Sequence, residues 1–200
     1  MRRRAGQGQR RRKLVLYSAP LLALALLFGV YYVATASPQA AEDFTVPISI
    51  EISTKYSGGA FIQNVLPKGV GVAGLIWNSH QYDSYGLNGH YPVFAQGAPN
   101  GNSNYSLIHV RSKVARTYTL LDFFNVWGVP LGKTNTLGYP YTVPPPASAN
   151  ASYASDWFWD MCIQDLSRGG IHEGLWGNQT LVPGEGIVLL YSNYGCLPYS

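Results

Sequence analysis

The sequence predicts an α+β domain, a small mixed β-sheet with one short packed helix, preceded by one transmembrane helix. Three observations predict this architecture. An uncharged apolar run covers Leu14 to Ala36, several later segments alternate between apolar and polar residues, and one segment places apolar residues at helical spacing. A chain of 200 residues is long enough for one domain with a buried core and a short extra segment.

The N-terminal region is typical of a membrane anchor. About 20 apolar residues in a helix span the hydrocarbon core of a bilayer, and the run from Leu14 to Ala36 meets that length. The basic residues before it predict a cytoplasmic N-terminus. We therefore divide the chain into a cytoplasmic basic head (residues 1–13), a transmembrane anchor (14–36), a linker (37–44) and an extracytoplasmic α+β domain (45–200).

Two other interpretations of the N-terminus stay open. Ala34, Thr35 and Ala36 have the small-x-small form of a signal-peptide cleavage site, although the apolar run is longer than the roughly 7–15 residues of a signal peptide's apolar core. The segment from Arg11 to Val15 also resembles a twin-arginine export signal. Either alternative still places the domain outside the cytoplasm.

The net charge of +4 comes from the basic head. Half of the 14 Lys and Arg residues precede residue 14, whereas all 10 Asp and Glu residues follow residue 40. Without the head, the chain has seven basic and ten acidic groups, which gives a net charge of −3. The sequence therefore gives no support for nucleic acid binding. The basic head instead predicts a position next to a membrane, on its cytoplasmic side.

Cysteine and asparagine positions agree with an external location. The two cysteines, Cys162 and Cys196, predict a disulfide, because paired cysteines outside the cell are usually oxidised. Asn-x-Ser/Thr triplets are glycosylation acceptors; here they begin at Asn104, Asn150 and Asn178.

Two segments alternate with the period of a β-strand. From Val46 to Ser53 the apolar residues fall on one face and the polar residues on the other. In the segment from Ile108 to Val114, His109, Arg111 and Lys113 form an outward row that a core does not require.

The next segment predicts a short helix. Thr119 is a good N-cap, and Asp122 three residues later completes a capping box. Leu120, Phe123, Phe124 and Trp127 fall at i, i+3, i+4 and i+7, which gives one apolar stripe. Gly128 is a typical C-terminal stop.

The rest of the domain is less periodic. Residues 78–105 are polar, aromatic and rich in turn residues, and residues 137–152 are rich in proline. The segment from Trp157 to Leu166 favours a strand over a helix, and Ile187 to Tyr191 predicts a buried strand. The closing segment from Leu181 to Tyr191 resembles the last turn and strand of β-grasp domains, which implies a β-grasp-like sheet.

Three kinds of site are candidates. His80, Asp83 and His109, with His172 as a fourth ligand, could hold copper or zinc, since imidazole and carboxylate suit these ions. Asp156 and Asp160 flank three aromatic residues, at positions 157–159. A pair of carboxylates beside aromatic rings is the pattern of a carbohydrate-active enzyme. A binding surface is the third candidate, because tyrosines among Gly and Asn turns are typical of adaptable recognition loops; its members are Tyr82, Tyr85, His90, Tyr91, His109, Arg111 and Lys113.

Two motifs also carry a family resemblance. The segment from Ser106 to Gly128 and the segment "WNSHQYDSYG" are similar to those of an uncharacterised family of membrane-anchored archaeal and bacterial extracytoplasmic proteins. The resemblance implies matching histidines at His80 and His109. The paired histidines of that family fall near Phe94 and Gln96 here, so part of any metal-binding set is lost.

These observations together favour a binding protein over an enzyme. No nucleophile elbow and no phosphate-binding glycine loop is present in the sequence. We expect a membrane-anchored accessory module of a membrane or envelope assembly with a protein partner. The copper or zinc protein is the alternative, and the carbohydrate-active enzyme is the third hypothesis.

Overall fold

The computed structural model describes residues 39–56, 59–101, 103–140 and 158–192, together with Cys196. The predicted basic head and transmembrane anchor lie outside these residues, as do Asn150, Asp156 and most of the proline-rich segment. In the described part, no helix has both the length and the apolar composition needed to cross a membrane.

The described residues form ten strands, one α-helix and two short 3₁₀ turns. In chain order these are β1 (Glu42–Tyr56), β2 (Gly59–Asn64), β3 (Val70–Val72), a 3₁₀ turn (Asp83–Tyr85), β4 (His90–Ala95), β5 (Ser106–Ser112), α1 (Leu120–Trp127), β6 (Asn135–Thr136), β7 (Tyr139–Pro140), β8 (Phe158–Asp165), β9 (Ile171–Glu173), a second 3₁₀ turn (Trp176–Asn178) and β10 (Glu185–Ser192).

Strand β1 organises the main sheet because it has three partners. Its first half pairs antiparallel with β5, from Glu42 opposite Ser112 to Ile48 opposite Ser106. Its second half pairs antiparallel with β2. On the other edge, residues 48–52 of β1 pair in parallel with residues 187–191 of β10. The sheet is therefore mixed, and its strand order is β3-β4-β5-β1-β10-β8-β9.

One face of this sheet packs on α1 to form the core. Val46, Ile48, Ile50 and Ile52 are at most 2 % exposed, as the alternation in the sequence predicts. From the helix, Leu120, Phe123, Phe124 and Val126 enter the same cluster. Trp127, the last residue of the predicted stripe, packs at the edge of the cluster and is only partly buried. The coarse prediction of a mixed sheet with one packed helix is confirmed.

Both ends of α1 carry the predicted capping signals. The Thr119 backbone N–H donates to Asp122 Oδ2 at 2.8 Å, and the Asp122 N–H donates to Thr119 Oγ1 at 3.3 Å, which completes a capping box. Gly128 ends the helix in the left-handed region, at φ 78°. The Asn78 side chain donates to the carbonyl of Trp127 at 2.9 Å, so a distant loop also caps this end.

The structure differs from the sequence prediction in two places. Strand β1 begins at Glu42, inside the predicted linker, because β5 extends far enough to pair with it there. Strand β4 lies inside residues 78–105, which have no clear period in sequence. Tyr91, Pro92, Val93, Phe94 and Ala95 are all buried, so β4 lacks the alternation that would mark it.

The C-terminal region agrees with the prediction. The segment after residue 157 forms strand β8, and the predicted strand from Ile187 to Tyr191 lies within β10. Cys162 and Cys196 are joined by a disulfide. This bond ties Cys196, beyond the last strand, to β8.

Candidate functional site

The sheet face opposite α1 carries an open groove. On β1 the alternation that buries four apolar residues directs Pro47, Ser49 and Glu51 to this face. The register places Leu107 of β5 beside Pro47, and Val188 of β10 beside Ser49. Apolar side chains from three strands therefore meet on a face that the core does not use.

The groove has a volume of about 440 Å³. It is lined by Pro47, Ser49, Glu51, Asn104, Tyr105, Leu107, Gln164, Leu166, Gly186, Ile187 and Val188. Two of its apolar members are well exposed, Tyr105 at 38 % and Leu166 at 52 %. Exposed apolar surface in a concave site is typical of a binding surface.

The floor of the groove is open because residue 186 is a glycine. A Cβ atom at Gly186 would lie 3.5 Å from Leu166 Cδ2 and 3.6 Å from Pro47 Cγ, which are ordinary contact distances. The space above Gly186 is therefore wide enough for an atom without displacing the backbone. A larger side chain at this position would occupy the groove.

One end of the groove is polar. Ser49 Oγ lies 3.1 Å from Glu51 Oε1 and 3.1 Å from the carbonyl oxygen of Asn104. Among the described residues, none of the ion pairs includes Glu51. The groove therefore combines apolar walls with one carboxylate that has no cationic partner there.

The predicted outward row on β5 divides into three different environments. His109 stacks on Phe94, and Phe94 stacks on His90, with centroid distances of 4.8 Å and 4.3 Å. Arg111 donates from Nη2 and Nε to Asp43 Oδ2, at 2.8 Å and 3.2 Å. Lys113 is exposed. This row lies on the groove side of the sheet, since His109 and Leu107 share one face of β5.

The surroundings of the two stacked histidines favour their neutral form. Burial lowers the pKa of His109, and the charge of Arg111 lowers it further. Burial and Arg111 lower the pKa of His90 in the same way. In the described part of the chain, His90 Nδ1 is buried and has no hydrogen-bond partner. Protonation of either ring would place a charge beside an apolar phenyl ring and a guanidinium.

The predicted metal ligands fall into separate places. His80 Nδ1 lies 2.8 Å from Asp83 Oδ2, and the Trp77 indole N–H donates to Asp83 Oδ1 at 3.0 Å. His109 belongs to the stack on Phe94, and His172 lies on β9. Within the described residues, the group of three ligating side chains whose atoms lie within 4.8 Å of one another contains no histidine.

The predicted tyrosines form a small aromatic cluster. Tyr82 and Tyr85 stack with centroids 5.8 Å apart, and the Arg116 guanidinium lies 3.9 Å from the centre of the Tyr82 ring. Tyr91 lies in the core at 1 % exposure and packs against Tyr82 and Trp77. It therefore supports the cluster from beneath and is not at its surface.

The remaining predicted residues have local structural roles. Asp160 accepts hydrogen bonds from the backbone N–H groups of Met161 and Cys196, at 2.9 Å and 3.0 Å. Of the glycosylation acceptors, Asn104 is exposed at the rim of the groove and Asn178 ends the second 3₁₀ turn.

Sequence analysis did not identify the groove. Its residues come from β1, β5, β8, β10, the loop before β5 and the turn after β8, so only the strand register assembles them. The outward positions on the predicted strands were the one sequence signal that could have indicated the groove. Leu107 lies on the outward face of β5, and an outward apolar residue on a strand marks a second surface.

Comparisons with protein-family models, with curated proteins and with solved structures found no match to this chain.

Proposed function

We propose that this protein is a membrane-anchored extracytoplasmic binding module, an accessory subunit of a membrane or envelope assembly, and that the groove receives its partner. The groove itself carries the proposal, because it exposes apolar side chains on the sheet face that the core leaves free. The disulfide supports an extracytoplasmic location, since such bonds persist in oxidising compartments. The anchor over residues 14–36 is part of the proposal.

We also infer that the fold is β-grasp-like. The first and last long strands, β1 and β10, lie side by side in parallel, and each has an antiparallel neighbour, β2 and β8. Strands β3, β4 and β5 then extend the sheet along the first half of β1. The resemblance to the membrane-anchored archaeal and bacterial family remains a further proposal.

The chemistry of the groove indicates the class of partner. Apolar walls at Leu107, Leu166 and Val188 favour apolar side chains, and Glu51 favours a cation at the polar end. The net charge of −3 after the basic head adds attraction for a basic segment. We therefore assign the groove to an extended apolar peptide segment of a partner protein that carries one Lys or Arg.

Two synthetic peptides test this assignment. The first alternates Leu and Val with one central Lys, and the second replaces that Lys with Glu. Fluorescence anisotropy of labelled peptides with the full chain should show at least tenfold tighter binding of the Lys peptide, because only this peptide can pair with Glu51. Equal affinities of the two peptides, or no binding of either at millimolar concentration, would contradict the assignment.

Two variants localise the binding. Gly186→Val should abolish peptide binding, because its side chain fills the floor of the groove. Glu51→Gln should remove the difference between the two peptides while it keeps the apolar contacts. Leu175→Ala is the matched control, since Leu175 is 69 % exposed and does not line the groove. Unchanged binding by Gly186→Val would place the peptide elsewhere.

A copper or zinc protein is the second proposal, and the pairing of His80 with Asp83 favours it. A carboxylate that fixes one ring nitrogen of a histidine is typical of metal ligands, since it orients the other nitrogen. His80 is largely exposed and would offer Nε2. Elemental analysis of the purified full chain tests this proposal, and His80→Ala should remove any copper or zinc found.

A carbohydrate-active enzyme that uses Asp156 and Asp160 is the third proposal. Asp156 lies outside the described residues. Both carboxylate oxygens of Asp160 accept backbone hydrogen bonds, which suits a structural anchor better than an acid catalyst. Release of reducing sugar from polysaccharides by the full chain, and its loss in Asp160→Asn, would support the enzyme.

A further inference from the structure

Three side chains with metal-ligating atoms converge at the start of β8. A carboxylate oxygen of Asp160 and the sulfur atoms of Cys162 and Cys196 all lie within 4.8 Å of one another. Neither the peptide groove nor the histidine clusters includes these residues. Cys162 is 2 % exposed, whereas Asp160 and Cys196 are partly exposed, so the group is accessible from one side.

The fold fixes this arrangement in two ways. Asp160 and Cys162 are two residues apart on one strand, so their side chains leave the same face. The N–H of Cys196 donates to Asp160 Oδ2 at 3.0 Å, so a hydrogen bond as well as the disulfide links Cys196 to β8.

A second carboxylate lies on the next strand. The register places Glu173 of β9 directly beside Cys162. Glu173 and Asp160 line one cleft of about 390 Å³ with Lys133. Lys133 Nζ lies 2.7 Å from Glu173 Oε1, so this cation offsets part of the negative charge that two carboxylates bring together.

We propose that reduction of the Cys162–Cys196 disulfide converts this group into a site for a borderline divalent cation of the zinc class. Two thiolates and one or two carboxylates form a donor set that Zn²⁺ accepts in tetrahedral geometry. Soft Cu(I) prefers sulfur alone, and Mg²⁺ or Ca²⁺ prefers oxygen alone. The mixed sulfur and oxygen donors therefore select zinc.

The redox step requires a two-electron reductant, and a dithiol is the appropriate chemical class. The dithiol gives two electrons and two protons to the disulfide; its own sulfurs form a disulfide, and Cys162 and Cys196 become thiols. Zn²⁺ then replaces both thiol protons, which are released to solvent, and Asp160 contributes an oxygen. In the oxidised chain the same sulfurs are bonded to each other, and no thiolate is available.

The test is the zinc content of the full chain in its two redox states. One sample is reduced with a water-soluble phosphine, freed of phosphine without oxygen and dialysed against micromolar Zn²⁺; the other stays oxidised. We expect elemental analysis to find one more zinc per reduced chain than per oxidised chain. Equal zinc contents in the two states, or no zinc in the reduced chain, would overturn the proposal.

Variants separate the proposed site from adventitious binding. Cys162→Ser and Cys196→Ser should lose the zinc, and Asp160→Asn should weaken zinc binding at least tenfold while it keeps an oxygen that accepts a hydrogen bond. Glu185→Gln, a carboxylate change outside the cleft, should bind zinc as the parent chain does. Unchanged affinity in Asp160→Asn would exclude the carboxylate from the site and overturn the proposal.

Loss of folding on reduction also gives a decisive outcome. If the reduced chain unfolds, addition of Zn²⁺ should restore its far-ultraviolet circular dichroism, because metal binding to the folded state favours folding. A reduced chain that stays unfolded in excess Zn²⁺ would overturn the proposal.

Discussion

The phenyl ring of Phe94 stacks on the imidazole of His109, with ring centroids 4.8 Å apart and planes inclined by 12°. His90 stacks on Phe94, at 4.3 Å and 15°. Burial, followed by the positive charge of Arg111, lowers the pKa of both histidines. Asp43 acts in the opposite direction on His109, but it is already paired with Arg111.

We expect the stability of the domain to fall as the pH falls below about 6.5, the ordinary pKa of histidine. In that range the unfolded chain binds protons on His90 and His109 before the folded chain does. The stabilisation is fully present above the unfolded-state pKa and is lost as the pH falls through the lowered folded-state pKa. Melting temperatures measured from pH 7.5 to pH 5 check this dependence.

Two variants assign the pH dependence to the stack. His109→Gln should flatten the curve between pH 7 and pH 5, because it removes one of the two groups that bind protons unequally. Leu175→Ala should leave the shape of the curve unchanged, since Leu175 does not titrate, is 69 % exposed and lies outside the stack. A slope that survives in His109→Gln and His90→Gln together would contradict this assignment.

Thr119→Ala should destabilise the protein by about 1 kcal/mol, the usual effect of losing an N-cap side chain. The substitution removes the Thr119 oxygen that accepts the N–H of Asp122. The free energy of unfolding from urea titration measures the effect. Thr117→Ala is the matched control two residues earlier, and an equal loss in both variants would show that the cap is not the cause.

Gly128→Ala should destabilise the protein by more than about 1 kcal/mol, because the left-handed backbone at this position disfavours a side chain. The new Cβ would also lie 2.5 Å from Nδ2 of Asn78, which caps the end of α1. The midpoint of thermal unfolding measures the change. Gly101→Ala should change stability little, because among the described residues no atom beyond its chain neighbours lies within 4 Å of its Cβ position.

Reduction of the Cys162–Cys196 disulfide in metal-free buffer should lower the free energy of unfolding by about 3–4 kcal/mol. The two cysteines are 34 residues apart, and the cross-link restricts the unfolded chain over that loop. Urea titration with and without phosphine measures the difference. The double variant Cys162→Ser/Cys196→Ser should be insensitive to phosphine, and a parent chain equally insensitive would show that the bond adds no stability.

The sequence was sufficient to predict those features of the structure that depend on residues close to one another in the chain. The capping box at Thr119 and Asp122, the stop at Gly128 and the alternating core face of β1 each depend on residues within a few positions of one another. The disulfide followed from cysteine number and compartment. The structure contains these predicted features because short-range backbone preferences and the packing of the sheet on α1 favour the same conformation.

Tertiary structure decided the features that depend on register. Strand β4 is buried at nearly every position, so alternation could not mark it, and only its pairing with β3 and β5 identifies it. The groove depends on β1 meeting β10 in parallel and β5 antiparallel, since a shift of one residue would send Pro47 and Ser49 to the other face.

The sequence by itself determined the local features of this protein: an apolar N-terminal run, one capped helix, a core face on β1 and one pair of cysteines. Only the tertiary structure decided which outward residues became neighbours. It separated His80 from His109, moved Tyr91 into the core and placed Asp160 beside the disulfide. The physical reason is that a side chain's face is set by its own strand, whereas its neighbours are set by hydrogen bonds to strands far away in sequence.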